Sequence, residues 1–108
     1  MQVIDMFNDN GNRRRAFAKF IDKLKELNMN NMTGIEIGCY SGQSTELFIN
    51  SGLFNTLYCI DPWTNGYDSN DRASFSTEDA EKVFDGRFKN NKIIKKIKDY
   101  SWNAVNNF

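Results

Sequence analysis

Between positions 14 and 28, apolar side chains recur at Phe17, Phe20, Ile21, Leu24 and Leu27 with lysines and acids between them. That is the 3.6-residue period of an amphipathic helix laying one face on a core. The run Arg13-Arg14-Arg15 at its start opposes the helix dipole and reads as a solvated turn. After the Asn28-Met29-Asn30-Asn31 break the period changes. The short β-branched segment GIEIG (34 to 38) predicts a strand and CYSG (39 to 42) a tight loop. QSTELFINSG (43 to 52) predicts a helix that Leu47 and Phe48 fit and Gly52 closes. TLYCID (56 to 61) predicts a buried strand, ended at Asp61-Pro62 because proline cannot continue a central strand. Residues 62 to 76 show no period and carry Gly66 among other turn formers, a loop of a length that is usually functional or mobile. Ser76 and Asp79, in capping-box spacing, then open a helix with Ala80, Val83, Phe84 and Phe88 on one stripe. KIIKKI (92 to 97) predicts a third strand, and Ser101 is placed to cap a last helix begun by WNAVNNF.

Strand and helix alternate through this pattern, which predicts an α/β fold with a parallel sheet and right-handed crossovers. In such folds a ligand binds beyond the carboxyl ends of the strands. The loops after Ile37, Ile60 and Ile97 are therefore expected to meet along one sheet edge. No repeat, low-complexity stretch or linker interrupts the chain, so residues 1 to 108 are expected to form one domain.

Composition narrows the partners. The 14 basic residues balance the 14 acidic ones, leaving no net field to attract nucleic acid or an anionic membrane. No stretch approaches the roughly 18 apolar residues of a membrane span, and the opening MQVIDMFNDN lacks the features of a signal peptide. A soluble cytoplasmic protein is expected. Cys39 and Cys59 sit in glycine-rich or apolar segments without a zinc or nucleophile pattern, so buried free thiols and no metal site are expected. The chain has no histidine, which removes the commonest general base.

The chemistry concentrates in EIGCYSGQST (36 to 45). Gly38 and Gly42 form a Gly-x-x-x-Gly loop between strand and helix, where the backbone must turn sharply and approach a ligand closely. The helix that follows offers free backbone N–H groups to a carboxylate or phosphate. Asp61 ends the next strand, 23 positions after Gly38 and 19 after Gly42. A ribose-binding acid follows a glycine loop by about 20 residues, so loop plus acid in a βαβ context predicts a nucleoside ligand. The third glycine of a dinucleotide fingerprint is missing, since Tyr40 and Gln43 hold the positions that would complete it, and no Gly-Lys-Ser/Thr of a P-loop follows.

An acid two residues before the first glycine, the Gly-x-x-x-Gly loop and the strand-end acid together resemble the class I S-adenosyl-L-methionine (SAM) methyltransferases. IEIGCYSGQST and LYCIDPW look most like the branch of small-molecule and sugar O-methyltransferases related to the macrocin methyltransferase and cephalosporin-hydroxylase-like groups. The resemblance covers roughly residues 34 to 101. It implies a Rossmann-like three-layer sandwich, here a truncated parallel sheet of strand order 3-2-1 with helices on both faces. It also implies that Glu36 braces the loop and the methionine ammonium, and that the backbone of Gly38, Cys39, Tyr40, Ser41 and Gly42 passes along the methionine part. Ser44 would help hold the methionine carboxylate or else act as a plain N-cap. Asp61 would hold the ribose hydroxyls, with Pro62 and Trp63 flanking or closing over the adenine; for Trp63 the alternative is a place in the core, and for Tyr40 packing on the helix. Ser101 would lie on the adenine side or merely cap its helix. Family members continue through further strands that supply acceptor contacts and a histidine-bearing segment. The expectation is thus a SAM-binding N-terminal half that transfers methyl to a small molecule or sugar only when completed, the acceptor itself being unreadable here. The alternative is a non-catalytic interaction module with a degenerate fold. With the strands ordered as in the family, GIEIG (34 to 38) becomes an unprotected sheet edge, which implies a homodimer or aggregation through that edge or the helix faces beside it, unless the terminal helix from Ser101 folds back to cover it.

Overall fold

A computed structural model describes residues 2–108. The chain runs α1 (Asn12–Glu26), β1 (Met32–Ile37), α2 (Gln43–Asn50) and β2 (Phe54–Asp61). A 3-10 turn (Arg72–Ser76), α3 (Thr77–Arg87), β3 (Ile94–Lys98), the single-turn α4 (Ser101–Ala104) and a closing 3-10 turn (Val105–Asn107) follow. The fold is α/β, with a three-stranded, all-parallel open sheet in the order β1-β2-β3.

Register decides which residues share a face. Gly34, Glu36, Leu57, Cys59, Asp61, Ile94, Lys96 and Lys98 fall on one side through the pairs Gly34↔Leu57, Glu36↔Cys59, Cys59↔Lys96 and Asp61↔Lys98. Helices α2 and α3 cover that side, tied to it by Ser44 and Thr45 on Glu36 and by Glu81 and Asp85 on Lys96. Between sheet and helices lies the core of Leu57, Cys59, Trp63, Phe84 and Phe88, flanked by Phe48 and Phe54. Helix α1 joins through Phe17 and Phe20, whose rings stand edge-on to Phe48. A second cluster, Tyr40, Ala73 and Ala80, receives Val3, Ile4 and Met6 of the N-terminal segment, which carried no sequence expectation. On the other side of the sheet the C-terminal turn packs, with the Phe108 ring edge-on to Tyr58 at 5.0 Å. Ile35 and Ile37 are left 51% and 65% exposed.

Two expected caps are corrected. Ser76 makes no side-chain cap to α3. The 3-10 turn runs straight into that helix, and the Ser76 hydroxyl is engaged instead by the Tyr40 hydroxyl and the Ala73 carbonyl. Ser101 is the first residue of α4 rather than its cap, a place held by Tyr100 without a side-chain bond. No helix among the described residues is long and apolar enough to cross a membrane.

Candidate functional site

The loops after β1, β2 and β3 lie at one end of the sheet, because three parallel strands deliver their carboxyl ends to the same edge. The Gly38 amide donates to the Ile60 carbonyl at 2.8 Å, and the Asp99 amide to the Asp61 carbonyl at 3.1 Å. One backbone seam thus links all three loops.

At the centre of the seam is Asp61, 4% exposed. One carboxylate oxygen accepts the Tyr40 amide at 3.0 Å and the other the Trp63 amide at 2.9 Å. Both of those residues are left-handed, with φ of +50° and +44°. A bulky side chain in that region costs on the order of 1–3 kcal/mol and persists only where its surroundings enforce it. The enforcement is visible: the Trp63 indole N–H donates to the Tyr40 carbonyl at 2.8 Å, and the Tyr40 hydroxyl meets Ser76 Oγ at 2.6 Å while accepting the Ile4 amide at 2.9 Å. Burial pushes the Asp61 carboxyl above its ordinary range, against the backbone N–H bonds that lower it.

Glu36 is the second acid beside the loop, half-buried. Its two oxygens accept the hydroxyls of Ser44 and Thr45 in the first turn of α2. Burial raises this carboxyl too, only partly opposed by the two hydroxyls. The Ser44 hydroxyl is thus turned to Glu36, and the N-cap position of α2 belongs to Gly42. The Glu36, Cys39 and Cys59 donor atoms lie within 4.8 Å of one another. Glu36 is already held by hydroxyls, and the two thiols face the Glu36, Ile60 and Leu57 carbonyls.

The two glycines do different work. A Cβ on Gly42 would come within 2.5 Å of the Phe88 ring, so Gly42 lets α3 pack against the loop. A Cβ on Gly38 would meet nothing within 4 Å, although its φ is +82°. Gly38 faces open space, and two depressions meet there. One, of about 190 Å³, lies between the loop from Gly38 to Ser44 and Met6, Phe7, Arg13 and Phe17. The other, of about 140 Å³, is bounded by Asp61, Pro62, Tyr67, Asp99 and the run Tyr100-Ser101-Trp102.

The structure therefore gathers Gly38, Cys39, Tyr40, Ser41 and Ser44 on one depression and Asp61, Pro62 and Ser101 on the other. Two expectations change. Trp63, expected to flank or cover a base, is 0% exposed and packs on Phe84 with ring centroids 5.0 Å apart. Its left-handed backbone turns the indole inward, so the side chain is core. Ser44 lines the first depression with its hydroxyl already committed to Glu36. Among the residues of the depressions that were not anticipated are Arg13, Tyr67, Asp99, Tyr100 and Trp102. Arg13 is exposed, as expected of a solvated charge, and its guanidinium donates to the Met6 carbonyl at 3.1 Å and pairs with Asp9 at 3.8 Å. The Tyr100 and Trp102 rings stack at 4.5 Å and 14°. Burial, joined by the charges of Asp61, Asp71 and Asp68, raises the Tyr67 phenol. Compared with protein families, with curated proteins and with solved structures, the chain matches none.

Proposed function

We propose that the chain is the SAM-binding half of a methyltransferase with a Rossmann-like three-layer fold, holding S-adenosyl-L-methionine across Gly38. On this reading methyl transfer to a small molecule or sugar requires a further C-terminal portion that carries the acceptor site. The observation that carries the reading is Gly38 itself, left-handed, facing open space and shared by the two depressions. A ligand lying across it would have two ends of different chemistry. The Arg13 side suits a carboxylate. The side with Asp61, Asp99 and the stacked Tyr100 and Trp102 rings suits a hydroxylated, aromatic nucleoside. Acids around that second depression disfavour phosphate, which supports a nucleoside without phosphates over a dinucleotide. When bound, SAM would supply an electrophilic methyl group carried on sulfonium.

Calorimetric titration of the chain with SAM, S-adenosylhomocysteine and NAD tests this. Saturable binding of the first two, no heat from NAD, and loss of binding in a folded Gly38→Val variant are expected. A folded parent chain that binds neither SAM nor S-adenosylhomocysteine would refute the reading. One observation favours the second reading, an interaction module that no longer takes a ligand: Asp61 already spends both oxygens on the loop's own amides. That module predicts a null titration from a chain that is nonetheless fully folded.

A further inference from the structure

The chain holds two Asn-Gly dipeptides, Asn10-Gly11 and Asn65-Gly66. A glycine after an asparagine carries no Cβ to screen its backbone nitrogen, so that nitrogen can reach the asparagine's side-chain carbonyl carbon. The fold treats the two pairs differently. Asn65 is locked from both sides: its Oδ1 accepts the Glu78 amide at 3.0 Å and its own amide donates to Glu78 Oε2 at 3.0 Å. The Gly66 amide is engaged as well, donating to the Ser74 carbonyl at 2.8 Å. Asn10, by contrast, is exposed and left-handed at a φ of +57°. Among the described residues neither its side chain nor the Gly11 amide has a hydrogen-bond partner. Charge separates the pairs further. Gly11 is the N-cap of α1, at the positive end of the helix dipole, and a Cβ there would stand 3.2 Å from the Arg15 guanidinium. Asn65 instead lies on the Glu78 carboxylate, in a loop that also carries Asp68 and Asp71.

We propose that Asn10 is a modification site, converting without an enzyme to aspartate and isoaspartate, while the fold preserves Asn65. The Gly11 amide gives its proton to solvent base, and its nitrogen attacks Asn10 Cγ. That C–N bond forms, the bond from Cγ to the side-chain nitrogen breaks, and ammonia leaves, protonated by water as it goes. A succinimide ring remains. Water then opens the ring at one carbonyl or the other, so that overall one amide and one water become one carboxylate and one ammonium. The ionised amide and the tetrahedral intermediate are both anions, which Arg15 and the helix N-terminus stabilise. The product sets a new carboxylate three residues before Arg13, a wall of the first depression. In its isoaspartate form it also adds a backbone carbon between the N-terminal segment and α1. This inference goes beyond the nucleoside reading and does not depend on it.

The test is to incubate the full chain in mildly alkaline buffer at physiological temperature and to map both sites over time by mass spectrometry, with fragmentation that tells isoaspartate from aspartate. Asn10 converts about tenfold or more faster than Asn65, because Gly66 must first break its hydrogen bond by local opening. In concentrated urea the two sites converge, since both are then plain Asn-Gly pairs. Arg15→Gln, at an exposed position, slows Asn10 alone and leaves the melting temperature within a few degrees of the parent. High salt slows Asn10 in the parent in the same sense. Equal rates at the two sites in the folded chain would overturn the proposal, as would faster conversion at Asn65 or a preference for Asn10 that survives in urea. An Arg15→Gln chain that converts as fast as the parent would remove the cation from the mechanism and overturn it in that form.

Discussion

Asp61, buried, and Glu36, half-buried, are both raised by desolvation, yet converting each to its amide should have opposite consequences. The difference lies in the donors. Asp61 accepts from two backbone N–H groups, which can only donate. In Asp61→Asn one acceptor remains, and the new NH₂ is pressed against an amide hydrogen. One hydrogen bond to a charged group is lost, about 1.5–3 kcal/mol, and a buried N–H is left unsatisfied. The lost bond also releases Tyr40 or Trp63 from its left-handed conformation. A loss on the order of 3 kcal/mol is expected, a large fraction of the roughly 5–15 kcal/mol that holds a domain together. Glu36 accepts from the hydroxyls of Ser44 and Thr45, which can rotate and accept in turn. Glu36→Gln therefore keeps its bonds, sheds a desolvated charge, and stays within about 1 kcal/mol of the parent, on the stabilising side at neutral pH. Urea unfolding in a Trp102→Phe background reads this out, because Trp63 is then the sole tryptophan and is fully buried. At this size each kcal/mol moves the melting temperature by about 4–8 °C, so Asp61→Asn should melt on the order of 10–20 °C lower. An Asp61→Asn as stable as the parent, or a Glu36→Gln equally damaged, would refute the assignment of Asp61 as the loop's internal brace.

The same two acids set a pH dependence. A folded carboxyl raised above its unfolded value contributes stability that is full below the unfolded value and is lost as pH rises through the folded one. Glu36 and Asp61 should thus make the chain gain stability as pH falls from neutrality toward the ordinary carboxyl range, and Glu36→Gln should flatten that slope; a parent and variant with identical slopes would contradict it. The glycines separate next. Gly42→Ala forces a Cβ to within 2.5 Å of Phe88 and should destabilise by about 1–3 kcal/mol plus the cost of its φ. Gly38→Ala meets no atom within 4 Å, carries only the backbone cost, and should instead weaken S-adenosylhomocysteine binding; calorimetry beside thermal melts distinguishes the two.

Much of the fold is written in periodicity. The apolar spacing from Phe17 to Leu24 and the β-branched runs at Ile35 and Ile60 are one-dimensional signals of helix and strand, and parallel order then places the three loops at one end. Side-chain direction at the loop is a different kind of fact. Nothing in the spacing of Gly38 and Asp61 says whether the carboxylate turns out to a ligand or back to the chain. One signal was nevertheless present: an aspartate two residues before an amide, with proline between, is the pattern of a side chain bonding its own backbone two residues on. Trp63 was obscured by the same turn, since its left-handed φ, rather than any apolar period, sends the indole into the core. The Ser76 cap failed because capping-box spacing does not reveal that a 3-10 turn already precedes the helix. Tyr100 and Trp102 flank Ser101 and follow β3, so the expectation that the third loop joins the site contained them without naming them.

The internal brace bears on how the loop could take a ligand. A loop that must order itself on binding gives up part of its interaction energy to that ordering, whereas one already fixed gives up little. Here the loop is fixed from beneath by Asp61, from the side by the Arg87 guanidinium on the Ser41 carbonyl at 3.1 Å, and from the N-terminal segment by Ile4 on Tyr40. The brace and a ligand meet at Asp61, which holds the loop amides and also lines the second depression. A carboxylate oxygen has more than one lone pair, so each Asp61 oxygen can accept an amide and still receive a hydroxyl. The Asp61→Asn measurement separates these duties. Were Asp61 only a brace, binding would fall no further than the loss of folded chain explains. Were it also a contact, affinity per folded molecule would fall as well.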